Sequence, residues 1–257
     1  MPITINRIIH RGIPSGLAIK AAIIYNDYCK RKAYNLDKSV GMIKARTALF
    51  GKFAPEGKNI LDLATGRGFL LAEAAKRNAK LVIGIEASDK MLDEAEQTFA
   101  KFESQTKVEL VEGDIFSLKD IVREITNENL DLITAANIFC FLSKTQREDI
   151  IKQSLEVLKP KGILAVLSRS IDNGTLPTSW NEKEKELYSK TLLGTGNFLE
   201  CVGWQTNDWK KLFLNNGFKN FGFFIGSKET DEELIGKELN PDQEVVLNEN
   251  VIFWGEK

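Results

Sequence analysis

The stretch Ile60-Leu61-Asp62-Leu63-Ala64-Thr65-Gly66-Arg67-Gly68-Phe69 decides the fold. An apolar run ends in a turn of small residues, and a helix-like segment follows. Glycines in such a turn let the backbone come close to a ligand, because no Cβ intervenes. The open end of a parallel sheet is also where folds of this kind bind nucleotides. Taken alone, the turn is a weak signal, and a tight strand–helix connection that holds nothing is its alternative.

Working outward, the pattern repeats. Apolar runs at 59–64, 81–86, 108–112, 130–136 and 163–168 alternate with helix-like stretches near 68–77, 89–103, 117–126 and 144–158. Continuous apolar strands between amphipathic helices imply βαβ units and a parallel sheet covered on both faces. After 168 comes an irregular stretch with Gly174, Pro177, Trp180 and Trp204. A helix near 207–216 and strands at 218–225 and 251–255 follow, and the two late strands suggest an antiparallel edge. Upstream, Leu17, Ala21, Ile24 and Tyr28 fall at helical spacing, as do Ile43, Thr47 and Phe50. Residues 17–52 therefore read as two helices broken around Asn35. The expected architecture is α/β: a seven-stranded, mostly parallel sheet with an antiparallel edge, helices on both faces and an N-terminal helical lid. The expected domains are a lid segment over 1–52 and a binding domain over 53–257, with a lid insertion at about 170–206.

Two acids stand at the ends of the following strands. Glu86, in Ile83-Gly84-Ile85-Glu86-Ala87-Ser88, comes 20 residues after Gly66. A carboxylate there can accept both hydroxyls of a ribose; a helix-capping glutamate explains the same letter. Asp114, in Val111-Glu112-Gly113-Asp114-Ile115-Phe116, can accept from an adenine amino group while Ile115 and Phe116 pack on the ring. A turn aspartate is the plainer reading. Three such elements in order at successive strand ends are much less expected by chance than any one of them.

The chain at this point resembles the class I S-adenosylmethionine-dependent methyltransferases, over roughly residues 58–225, with a flavour of their small-molecule branch. Asp62-x-Ala64-x-Gly66-x-Gly68 is similar to that family's acidic-x-Gly-x-Gly-x-Gly loop. The resemblance implies S-adenosylmethionine as cofactor, Glu86 with neighbouring Ala87 at its ribose, and Asp114 with Ile115 at its adenine. Leu130–Asn137 looks like the strand whose end lines the reaction centre, which places Asn137 and Phe141 there. Leu155-x-Val157-Leu158-Lys159-Pro160-Lys161-Gly162 and Trp209–Phe218 are similar to later family segments. Ala64 departs from the family's first glycine. Arg67 fills a position more often small; it points to solvent or meets the cofactor's carboxylate, and we favour solvent. No Asn-Pro-Pro-aromatic motif follows the fourth strand, which weighs against methylation of adenine or glutamine amides.

Composition narrows the chemistry. The 257 residues are 43% hydrophobic, enough for one large domain with a genuine core. Lys and Arg number 35 against 36 Asp and Glu, so no overall basic field marks a nucleic-acid binder. The balance is uneven: residues 1–52 carry ten basic and two acidic residues, and 228–257 carry three basic and nine acidic. The single histidine, His10, removes most zinc hydrolases and Ser-His-Asp hydrolases, and reads as a surface residue. Cys29, Cys140 and Cys201 fit neither a disulfide framework nor a metal knuckle, and suggest reduced thiols in a cytoplasmic protein with no bound metal. No run approaches the ~20 apolar residues of a membrane span.

The remaining candidates lie in the lids. Tyr25 and Tyr28, on the N-terminal helices, and Trp180 and Trp204, in the insertion, are substrate-pocket candidates or plain core aromatics. Arg46 reaches the cofactor carboxylate from the second helix, or is a solvated or salt-bridged arginine. Methyl transfer to a small molecule by in-line displacement is the leading reading; no catalytic base is assigned. Other uses of the cofactor, such as aminopropyl transfer, cleavage or cyclisation, stay open, as does a non-catalytic cofactor-binding protein. A nicotinamide oxidoreductase is a further alternative, but its fingerprint needs Gly or Ala three residues after Gly68, where Leu71 stands.

Overall fold

The computed structural model describes residues 3–31, 40–169, 206–227, 236, 238–239 and 250–257. In chain order its elements are β1 (Thr4–Ile9), α1 (Gly16–Arg31), α2 (Val40–Lys52), β2 (Asn59–Leu63), α3 (Phe69–Lys76), β3 (Leu81–Glu86) and α4 (Asp89–Phe99). Then come β4 (Lys107–Glu112), α5 (Leu118–Ile125), β5 (Leu130–Ala136), α6 (Lys144–Val157) and β6 (Leu158–Arg169). The helix Thr206–Asn215 is α7, followed by β7 (Asn220–Ser227), β8 (Glu238–Leu239) and β9 (Asn250–Glu256).

One sheet carries the fold, in the order β1-β4-β3-β2-β5-β6-β9-β7-β8. β1 to β6 pair in parallel, while β9 runs antiparallel to both β6 and β7. The mostly parallel sheet with an antiparallel edge is as expected, but it has nine strands among the described residues instead of seven. β8 adds two residues to β7. β1 extends the other edge by pairing with β4 from Thr4↔Lys107 to Ile9↔Glu112. The first residues of the expected helical lid are thus strand; Thr4, Ile5, Ile8 and Ile9 are β-branched and favour a pleated backbone.

The strands are buried on both faces, which is why they read as unbroken apolar runs. Along β2, Leu61 and Leu63 face a core shared with α5, α6 and α7, while Ile60 faces a second core under α2, α3 and α4. Each such Leu or Ile contributes about 1.5–3 kcal/mol by leaving water. Local signals set the helix starts. Ser88 caps α4 by accepting from the Met91 amide, and Ser143 with Gln146 forms a capping box on α6. Chain order reverses between β2 and β5, opening a crevice at their C-terminal ends. α1 packs on α4, and α2 lies across β7 and β9, so both N-terminal helices sit over one side of the sheet.

Candidate cofactor site

The turn after β2 is built from left-handed backbone. Ala64, Gly66 and Gly68 have φ of 55°, 55° and 69°. A Cβ on Gly66 would meet nothing within 4 Å, so the Cα of this glycine faces open space. A Cβ on Gly68 would lie 3.1 Å from Ala95 and Phe99, so this glycine seats the turn against α4. Ala64 adopts a backbone that glycine takes freely and alanine takes at a cost of roughly 1–2 kcal/mol.

Below the turn, Asp62 is buried and accepts from the Thr134 hydroxyl of β5 at 2.7 Å. Burial pushes its carboxyl up to about 7, against the opposing pull of that hydrogen bond. Asp62 therefore supports the turn from beneath and titrates near neutrality.

Glu86 ends β3 beside the same turn. Its Oε2 accepts from the Gly66 amide at 2.9 Å, and its Oε1 from the Ala87 and Ser88 amides at 3.0 Å each. It is 5% exposed. Burial raises its pKa, and the three amides pull it back down. The carboxylate is thus oriented by the backbone of two strand ends, and its Oε2 retains one lone-pair site for a ligand hydroxyl.

Asp114, past β4, is 6% exposed. One oxygen accepts from the Phe116 amide at 3.0 Å, and the other from the Ser15 amide at 2.6 Å. Ser15 in turn caps α1, its hydroxyl accepting from Ala18. The segment from β1 to α1 therefore crosses the sheet end at the expected adenine position. His10 pins it further: its amide donates to Glu112 O at 3.0 Å, and its ring lies 3.0 Å from a Glu124 oxygen. The expected surface histidine is a correction: the side chain is only 10% exposed, because it packs between the backbones of Gly12 and Gly113.

The other flank is formed by α2 and the end of β5. Asn137, at φ 56°, places its amide nitrogen 3.6 Å from the Met42 sulfur. Arg46 sets its guanidinium 5.7 Å from the ring centre of Phe69, the first residue of α3. Arg67 is not in solvent, as favoured above. It is buried and ion-paired with Glu94 of α4 at 2.7 Å. That pair faces Cys29 of α1, whose thiol is pushed up to about 11, by burial first and then by Glu94.

The structure thus brings Asp62, Ala64, Gly66, Gly68, Glu86, Ala87, Asp114 and Ile115 to the ends of three adjacent strands, with Asn137 and Arg46 on one flank. Phe141 is buried in the turn after β5, and Tyr25 is half-buried on α1. The Tyr28 side chain, Trp180, Trp204 and the insertion up to 205 lie outside the described residues. Three contributors went unread. Ser15, standing before the apolar run from Leu17, carries an N-cap signal. Asn26, which accepts from the Ser88 hydroxyl at 2.5 Å, and Thr134 carry none, because their partners are 62 and 72 residues away.

A doubly covered parallel sheet with a glycine turn after its central strand, and acids ending the next two, is the frame of a class I S-adenosylmethionine-dependent methyltransferase. Residues 60–162 match the family described as Methyltransferase domain, and this match together with the fold supports a class I S-adenosylmethionine-dependent methyltransferase. A carboxy-S-adenosyl-L-methionine synthase from Shewanella pealeana is 29% identical over 156 residues, 59% of each chain. A demethylmenaquinone methyltransferase from Lactobacillus johnsonii is 28% identical over 159 residues, 61% of this chain and 59% of that one. The chain thus matches less than two thirds of the length of these relatives. In fold it is similar to the TehB-like S-adenosylmethionine-dependent methyltransferase from Corynebacterium glutamicum. That likeness has a TM-score of 0.55 and 20% identity, over 91% of this chain and 97% of that one. The family's cofactor is S-adenosylmethionine, and the residues present fit it: open space over the Gly66 Cα, and backbone-oriented carboxylates at the expected ribose and adenine positions. No helix among the described residues is long and apolar enough to cross a membrane.

Proposed function

We propose that this chain moves a methyl group from S-adenosylmethionine to a small-molecule acceptor in a cytoplasmic setting. The observation that carries the reading is the alignment of the Gly66 amide, Glu86 and Asp114 at the ends of β2, β3 and β4. Glu86 holds the ribose diol, Asp114 and Ile115 hold the adenine, and Arg46 meets the cofactor carboxylate. The cofactor supplies a methyl carbon activated by a sulfonium leaving group. The protein's part is to align, desolvate and exclude water. Asn137 and Phe141 line the acceptor side, with Tyr25 as a further pocket residue. No histidine base is invoked, since His10 is committed to Glu124.

The test is incubation with S-adenosylmethionine and a metabolite extract, followed by mass spectrometry. The expected result is a product heavier by one methylene together with S-adenosylhomocysteine. The name of the Shewanella relative favours a second reading, in which the cofactor itself is the molecule modified. Under that reading the sulfonium compound gains mass and no S-adenosylhomocysteine forms, so one spectrum separates the two.

A further inference from the structure

Among the described residues, six of the seven large hydrophobic residues that stand exposed lie between positions 9 and 43: Ile9, Ile13, Ile19, Ile23, Val40 and Ile43. Ile13, at the crest of the segment joining β1 to α1, is 96% exposed, and Ile9 and Ile23 are 68% and 65% exposed. Singly exposed isoleucines need no explanation, but a concentration of them in one stretch marks a surface that meets something apolar. On α1 the inward side is taken by Ala18, Ala22, Asn26 and Cys29. Ile19 and Ile23, four apart, share a stripe beside it that passes through Asp27, itself half-buried and engaged, to exposed Lys30.

Charge identifies the occupant. Arg11, Lys20 and Lys30 stand exposed among these isoleucines. The acids of the neighbouring elements are already engaged: Asp93 and Glu96 with Arg7, Glu94 with Arg67, and Glu124 with His10. A second copy of the chain would bring the same cations face to face, which opposes self-association through this surface. A surface with apolar tails below and anions above satisfies both sets of side chains at once.

We propose that the exposed face of the β1–α1 segment and α1, centred on Ile13, Ile19 and Ile23 and flanked by Arg11, Lys20 and Lys30, docks on an anionic lipid surface. The chain lies on the bilayer and does not span it; the isoleucines enter the headgroup boundary and the cations meet lipid phosphates. The docking needs neither cofactor nor acceptor, so it stands or falls apart from the methyltransferase reading.

The experiment is flotation of the full chain with vesicles of phosphatidylcholine alone or mixed with phosphatidylglycerol. Each cation that reaches the surface should raise partitioning about fivefold, so anionic vesicles should bind at least ~20-fold better, and added salt should release the protein. Ile13→Ser with Ile23→Ser should lower binding at least ~10-fold while leaving the melting temperature unchanged, since both side chains are exposed. Lys20→Glu with Arg11→Glu should remove the preference for anionic vesicles and keep the fold. Absence of binding at low salt would overturn the proposal, as would binding indifferent to both double variants. Light scattering that shows a dimer dissolved by the isoleucine variants would also overturn it, by giving the face to a second copy.

Discussion

Replacing Glu86 with Gln keeps the side chain's shape and removes its charge. In the folded chain the carboxylate satisfies three amides, those of Gly66, Ala87 and Ser88, all within 3.0 Å. A glutamine oxygen can keep Ala87 and Ser88, but its NH2 group then faces the Gly66 N–H. An unsatisfied buried donor costs about 1–3 kcal/mol. Against this, the neutral amide escapes the burial penalty that raises the Glu86 pKa. The two effects oppose, so the melting temperature should move by less than about 4 °C. Cofactor binding has no such compensation. A diol loses a charge-assisted acceptor worth about 1.5–3 kcal/mol, so affinity for S-adenosylhomocysteine should fall about 10- to 100-fold. Calorimetry reads the affinity and fluorimetry the melting temperature, on the same samples. Unchanged affinity would show that the ribose lies elsewhere. A collapse in melting temperature by more than about 10 °C, with affinity lost in step, would make Glu86 only an anchor of the turn.

Other consequences are as specific. Asp62 has a folded pKa of about 7 against an ordinary 3.8. Its contribution is present in full below about pH 4 and is lost as pH rises through 7, up to about 4 kcal/mol. Relative to Asp62→Asn, the wild type should therefore become less stable from pH 4 to 8 in urea titrations; a flat difference would refute the assignment. S-adenosylmethionine, being cationic, should bind more tightly over the same rise in pH, and calorimetry at pH 6 and 8 checks it. Ala64→Gly should be neutral or slightly stabilising, within about 1 kcal/mol, because relief of a left-handed alanine offsets the added freedom of the unfolded chain. A loss of 2 kcal/mol or more by thermal melts would show the φ of Ala64 to be misread. Ser15→Ala removes the α1 cap, at about 1 kcal/mol, and should speed hydrogen exchange in the first turn of α1 with no change elsewhere.

What was legible followed from periodicity. β3 and β5 fall where their apolar runs place them, because strands buried on both faces have no polar interruptions to blur their ends. The acids at the strand ends were legible only as a series: each alone has a plain structural explanation, but a glycine turn and two acids in order at successive strand ends are much less expected by chance. β1 was missed because an edge strand is half-exposed, and its alternation in TINRII is interrupted by Arg7, which turns to Asp93 and Glu96 of α4. Arg67 was read as solvated because nothing local shows that Glu94 lies opposite it, one helix later in the chain. The part played by Ser15 depends on the path of the chain across the sheet end, which hydropathy does not encode.

The site's stability cost argues for its use. Asp62 and Glu86 lie under one turn, both buried, and among the described residues neither is ion-paired with a cation. Burying a carboxyl without a counter-charge is unfavourable, and here both pKa values rise in consequence. Ala64 adds left-handed strain to the same turn. A chain selected only for stability would relieve two of these positions cheaply, with an asparagine at 62 and a glycine at 64. Three local penalties gathered at the open ends of adjacent strands are instead what a site looks like when a ligand supplies the missing partners. A cofactor with a sulfonium, an ammonium and a ribose diol offers positive charge beside Asp62 and hydroxyl donors to Glu86. The features that weaken the free protein are therefore the ones that a bound S-adenosylmethionine would offset.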